Sequence, residues 1–157
     1  MVRERARLRL SKASKSSDWP AQYVNADRKK LYKPHSQDEA DFVYSDVPRW
    51  GLVKGGEGAG KSVSGIIKSL ERIRRSMSGI MVSPDLPHFK KSLWPEFQRW
   101  CPAIVVIPEQ RYRLNLAWTP HEAFILNFVN GASLICGGIE KPQTWEGPNV
   151  NFWHLDE

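Results

Sequence analysis

Cysteine is scarce in this chain. Its two residues, Cys101 and Cys136, lie far apart and belong to no C-x-x-C unit, which excludes a disulfide framework and argues for a reducing compartment. The four histidines, His35, His88, His121 and His154, have no metal-ligand spacing; His121-Glu122 lacks the second histidine that a helical zinc motif needs four residues on. No apolar run approaches membrane-spanning length, and the arginine-rich start lacks the apolar core of a secretion signal. Neither a spanning helix nor a leader peptide is therefore expected. There is no internal repeat, so a solenoid is not expected either.

Acidic residues are outnumbered, 17 against 23 Lys and Arg, for a formal charge of +6. The excess is local. Residues 1–15 carry Arg3, Arg5, Arg7, Arg9, Lys12 and Lys15 against Glu4, a net of +5, and the rest of the chain is +1. A Ser- and Lys-rich arm of this kind, taken as residues 1–30, is expected to be a disordered, solubilising tail rather than a specific binder. Any attraction it has for nucleic acid is nonspecific and salt-dependent. Residues 31–157 then make one domain, long enough to bury a core.

What the chain does have is glycine at one place. Gly55-Gly56-Glu57-Gly58-Ala59-Gly60-Lys61-Ser62 is a complete G-x-x-x-x-G-K-S phosphate loop, preceded by an apolar run (Trp50, Leu52, Val53) and followed by a helical pattern. The glycines let consecutive N–H groups turn inward on a phosphate, and the following helix adds its positive end. Lys61 is placed to reach the β- and γ-phosphates of ATP, and the Ser62 hydroxyl to ligate Mg²⁺. Gly55, Gly56, Gly58, Ala59, Gly60, Lys61 and Ser62 are the expected nucleotide-binding residues.

A second motif lies at residues 149–157, Asn-Val-Asn-Phe-Trp-His-Leu-Asp-Glu, a mostly apolar strand pattern ending in two carboxylates. Such a pair is by itself a solvated acidic end. With a magnesium-ligand serine upstream, Asp156 is expected to hold Mg²⁺ and Glu157 to polarise the attacking water. Lys61 and Glu157 are thus the candidate catalytic residues, and Ser62 and Asp156 the metal ligands. A chain is not expected to stop on its base, so these residues are expected to be the front part of a longer polypeptide.

Between the motifs the pattern is that of an α/β domain. Gln37–Tyr44 reads as a short helix capped by Ser36, and Arg49 to Val53 as a first strand. Lys61 to about Met77 reads as a helix with Val63, Ile66, Ile67, Leu70, Ile73 and Met77 on one face, in which Gly65 suggests close packing against a sheet. Gly79 to Val82 is a buried strand closed by Ser83-Pro84. Phe89, Leu93, Phe97 and Trp100 mark a further helical face, in which Pro95 must either kink the helix or start a new turn. Ala103 to Ile107 reads as a strand. Phe124–Val129 and Ala132–Cys136 flank Asn130-Gly131, a two-residue hairpin signal. The expected sheet is mainly parallel, flanked by helices, with one antiparallel hairpin.

The roughly ninety residues between Lys61 and Asp156, and the adjoining Glu157, point to the P-loop branch that includes helicases, AAA+ proteins and translocating motors (the ASCE-type fold). Over about residues 30 to 157 the chain resembles the ATPase part of phage large terminase subunits. The resemblance rests on the phosphate loop, on Gln37 about eighteen residues before it, on Val82-Ser83-Pro84-Asp85-Leu86, on Ser92-Leu93-Trp94-Pro95-Glu96-Phe97, on the hairpin Phe128 to Ile135, on the Gly147 loop and on Leu155-Asp156-Glu157, in that order. It implies an adenine contact for Gln37, ATP hydrolysis coupled to translocation of double-stranded DNA, and a ring of like subunits docked on a capsid portal protein with a small terminase subunit. It also implies work in the host cytoplasm, transiently at the procapsid portal.

One position departs from that family. Many terminases carry an arginine where this chain has Glu57, so either Glu57 faces outward or another arginine serves, for instance from a neighbouring subunit. The family's nuclease carboxylates are not found, so no DNA cleavage is expected of these residues, and steady turnover is not expected of them in isolation. A helicase-like nucleic-acid translocase shares the same motifs, and a nucleotide-binding module without turnover is the alternative from a different class.

Overall fold

The computed structural model describes residues 19–45, 60–141, 145 and 147–156. The expected first strand at Arg49 to Val53, the basic residues 1–15, Glu57 and the loop residues Gly55, Gly56, Gly58 and Ala59 lie outside those described, as does Glu157.

Helix α1 is Gln37–Tyr44, as the sequence suggests, with the Ser36 side chain accepting from the Glu39 N–H at its start. Helix α2 is Lys61–Arg74 and begins directly at Gly60, which takes φ +75° as the N-cap, a left-handed conformation open to glycine. Its apolar stripe buries Ile66, Ile67, Leu70 and Ile73 completely. Strand β1, Gly79–Ser83, is buried along its whole length.

Four strands make one mixed sheet in the order β2-β3-β1-β4, with β2 Phe124–Asn127, β3 Ser133–Gly138 and β4 Phe152–Leu155. Central β1 pairs parallel with β3 on one side and with β4 on the other. Only the β2–β3 hairpin is antiparallel. The architecture is α/β, a mixed sheet flanked by helices.

The hairpin turn differs from the expected two-residue type. Phe128 N–H donates to Ala132 O and Gly131 N–H to Phe128 O, with Gly131 at φ +89°. This closes a three-residue loop, Val129-Asn130-Gly131, in which Gly131 provides the bulge that restores the strand twist. The Asn130 amide donates to the Ile73 carbonyl and so pins the turn to the end of α2. The outer edge of β2 is capped by Gln110, which accepts from Asn127 N–H (2.7 Å) and donates to Ile125 O (3.2 Å), together with Arg113 donating to Ile125 O and Ile107 N–H to Asn127 O, which blunts an otherwise open edge.

The strand expected at Ala103 to Ile107 is not formed. Ala103–Val105 is a 3-10 turn, followed by a single antiparallel bridge from Val106 to Phe128. Pro102 and Pro108 bracket the segment, and two missing N–H groups leave little room for a ladder. The packed structure also begins earlier than residue 31, since Trp19 and Tyr23 are buried in the core and the Tyr23 hydroxyl donates to Glu71 of α2.

From Leu86 to Trp100 the chain is helical, with a π-helical stretch at Phe89–Leu93 that passes into α3, Trp94–Trp100. Pro95 falls in the first turn of α3, where its missing N–H costs least. Helices α2 and α3 cover one face of the sheet. The other face is covered in part by Trp145 and Val150 over Ile80 and Val82, and leaves Ile125, Trp153 and Leu155 exposed.

Candidate functional site

One described residue from each of the two motifs meets the other in space. Ser62, in the first turn of α2, donates its hydroxyl to Asp156 at 3.0 Å from Oδ1 and 3.3 Å from Oδ2, across 94 residues. The local folding of each partner explains the meeting. Gly60 turns the chain into α2, so that Lys61 and Ser62 stand at a helix N-terminus whose first N–H groups have no intrahelical acceptor. On the other side, the parallel register carries β4 along β1 to Leu155, and Asp156 N–H still donates to Val82 O. Asp156 therefore leaves the sheet at the carboxyl end of its parallel strands, where ligands of α/β sheets bind.

One stripe of α2 is cut to fit β4. Ser62, Gly65 and Ser69 recur at helical spacing and face Asp156 and His154. The His154 ring lies on Gly65, and its Nδ1 is 3.1 Å from the Ser69 hydroxyl. Burial pushes the His154 pKa down to about 4, against the opposing pull of the Asp156 carboxylate; the ring is neutral at neutral pH and stands as packing beside the acid. A Cβ on Gly65 would sit 2.6 Å from His154 Nε2. Gly65→Ala gains about 1 kcal/mol of helix propensity, yet overpacking of about 1–3 kcal/mol outweighs it. Urea unfolding is expected to find the variant less stable, and Gly65→Ala with His154→Ala to recover the loss; a more stable single variant contradicts the close approach.

Behind α2, helix α1 is held by Glu39. Its carboxylate accepts from the Ser64 hydroxyl (2.5 Å), the Tyr32 hydroxyl (2.9 Å) and the His35 N–H (2.6 Å). Burial opposes its ionisation, but these hydrogen bonds outweigh it and hold the carboxyl below its usual range. Lys68 of α2 adds a hydrogen bond to Phe42 O. The His35 ring lies beside Gly60: a Cβ on Gly60 would be 3.7 Å from His35 Nε2. Gln37, expected to read adenine, is exposed at the first turn of α1, with its amide on Asp41 at 2.7 Å.

The structure thus brings Gly60, Lys61, Ser62 and Asp156 to one end of the sheet, whereas Gly55, Gly56, Gly58, Ala59 and Glu157 lie outside the described residues. Glu39, Ser69 and His154 were missed by motif reading. Only Glu39 had a signal, the Ser36-x-x-Glu39 pattern of a capping box.

The oxygens present fit a hard cation. Ser62 Oγ and Asp156 Oδ1 are the donor types Mg²⁺ prefers. Among the described residues no three His, Cys, Asp or Glu side chains converge, so a magnesium ion at this pair would keep water and phosphate ligands rather than sit in a protein cage. A groove of about 700 Å³ opens elsewhere, at the amino ends of the strands among Ser78, Gln110, Arg113, Ile125 and Val150, and contributes nothing to this pair. Among the described residues no helix is long and apolar enough to cross a membrane. No protein-family model, curated protein or solved structure matches this chain.

Proposed function

We propose that this chain is the ATP-binding and hydrolysing part of a viral DNA-packaging motor of the terminase large-subunit type, built on a P-loop fold. One observation carries the reading: Ser62 and Asp156, singled out by separate motifs, meet at 3.0 Å. The ordered resemblance over residues 30 to 157 supports a packaging motor among phosphohydrolases. In this reading the N–H groups from Gly55 to Ser62 wrap the phosphates, Lys61 binds the β- and γ-phosphate oxygens, and Gln37 contacts adenine. Ser62 and Asp156 hold Mg²⁺, and Glu157 takes a proton from the attacking water. The magnesium ion, when bound, neutralises charge on the phosphates. The motor acts on double-stranded DNA in a homo-oligomeric ring, with a portal protein and a small terminase subunit as partners.

The reading is tested by titrating the 157-residue chain with Mg–ATP in a thermal-shift assay, beside a phosphate-release assay. Saturating nucleotide at a hundredfold excess over Kd is expected to add about 2.7 kcal/mol, a rise of about 5–10 °C in Tm for a domain of this size. Lys61→Ala is expected to weaken binding at least tenfold. Equal stabilisation of wild type and Lys61→Ala overturns the reading, and phosphate release by the wild-type chain that is lost in Lys61→Ala favours a phosphohydrolase over a binding module without turnover.

A further inference from the structure

Ser83 ends central strand β1 and is 1% exposed, yet its hydroxyl is buried with no hydrogen-bond partner among the described residues. Buried hydroxyls without partners are uncommon in folded proteins, because losing water without a replacement costs about 1–3 kcal/mol. The sheet register says where this one points. The last β1–β4 pair is Val82 with Leu155; one further step sets Ser83 beside Asp156, and Asp156 N–H does donate to Val82 O. The ladder stops there because its next bond would need an N–H from residue 84, which is proline. Neighbouring residues in register share a face. Met81 and His154 lie on the α2 face, where His154 meets Gly65 and Ser69, and Asp156 meets Ser62 on the same face. The Ser83 hydroxyl therefore belongs to the same face as the Asp156 side chain, one strand over and outside direct hydrogen-bond reach of its carboxylate.

Its other side is closed by backbone. After Pro84 the chain crosses Gly138, where an added Cβ would lie 2.2 Å from Leu86 N and 2.4 Å from Asp85 C. Ser83 is thus walled by the Asp85-Leu86 turn on one flank and by Asp156 and the first turn of α2 on the other.

We propose that Ser83 is a positioning residue of the Ser62–Asp156 site, whose hydroxyl holds an ordered water against the Asp156 carboxylate when a magnesium nucleotide is bound. The proposal rests on the nucleotide-binding reading above. It accounts for a polar atom left unpaired in a core position, where alanine would pack as well and avoid the desolvation cost. A water joining Ser83 to Asp156 orients the carboxylate that meets Ser62.

The test is Ser83→Ala, read in two ways on the 157-residue chain. Without nucleotide, Tm is expected to stay level or rise, since the variant removes an unpaired buried hydroxyl. ADP affinity measured by calorimetry in EDTA is expected to be unchanged, whereas ADP affinity with saturating Mg²⁺ falls about five- to tenfold, the worth of about one hydrogen bond to a charged group. A Ser83→Ala chain that binds Mg–ADP as tightly as wild type overturns the proposal while leaving the nucleotide-binding reading intact. Equal weakening with and without Mg²⁺ also overturns it, as a general packing effect. If wild type binds no ADP under either condition, both readings fall together.

Discussion

Truncating Trp94 to alanine is expected to cost about 3–5 kcal/mol, a large share of the 5–15 kcal/mol or so that holds a typical domain folded. Trp94 is completely buried. Its ring stacks on Phe89 at 6.0 Å and on Phe97 at 5.4 Å, and meets Trp118 and Phe124 edge to face at 5.5 and 4.9 Å. Aromatic pairs of this kind each contribute about 0.5–1.5 kcal/mol beyond the area they bury. The cluster joins the helical segment to β2, and through the hairpin to β3 and β1. Urea unfolding should show a lower midpoint at unchanged slope. Trp94→Phe is expected to cost far less, because the indole N–H it removes has no partner among the described residues. A loss below about 1 kcal/mol for Trp94→Ala would mean that the core is organised around something else.

The helical face from Phe89 to Trp100 was legible in the sequence, but its central residue was not. Spacing of three and four singles out Phe89, Leu93, Phe97 and Trp100, and puts Trp94 off the stripe. In the π-helical stretch Trp94 N–H donates to Phe89 O, five residues back. That wider turn rotates Trp94 onto the Phe89 side, and Pro95, with no N–H to offer, follows directly. A period-based reading has no means of anticipating the change of pitch. The three-residue hairpin loop has a similar origin: Asn130-Gly131 marked the turn, but the bond from Asn130 to the end of α2 is tertiary.

The site divides along the same line. Ser62 and Asp156 could be named because the proposed phosphate and magnesium chemistry calls for those residue types beside glycines and after an apolar strand. Ser83, Ser69 and His154 carry no such local requirement. Their places follow from the parallel register between β1 and β4, and pairing between strands some seventy residues apart is invisible to any short window of sequence. Glu39 lies between these cases, written as part of a helix start yet spent on Ser64 and Tyr32.

Asp156→Ala separates the fold from the chemistry at this junction. The backbone bond from Asp156 N–H to Val82 O survives the substitution, and the Ser62 hydroxyl, only half-buried, can turn to water. The nucleotide-free chain is therefore expected to lose no more than about 1 kcal/mol. Mg–ATP affinity, by contrast, is expected to fall about a hundredfold, because a carboxylate facing a divalent cation is worth several kcal/mol and a methyl group replaces none of it. Asp156→Asn keeps the shape and an acceptor for Ser62 but not the charge, and is expected to lose nearly as much affinity. Calorimetry with and without EDTA gives the decisive comparison: the loss should appear only when Mg²⁺ is present. Were both variants to bind Mg–ATP like wild type, Asp156 would be a strap between α2 and β4, and the metal would have to be held by other residues.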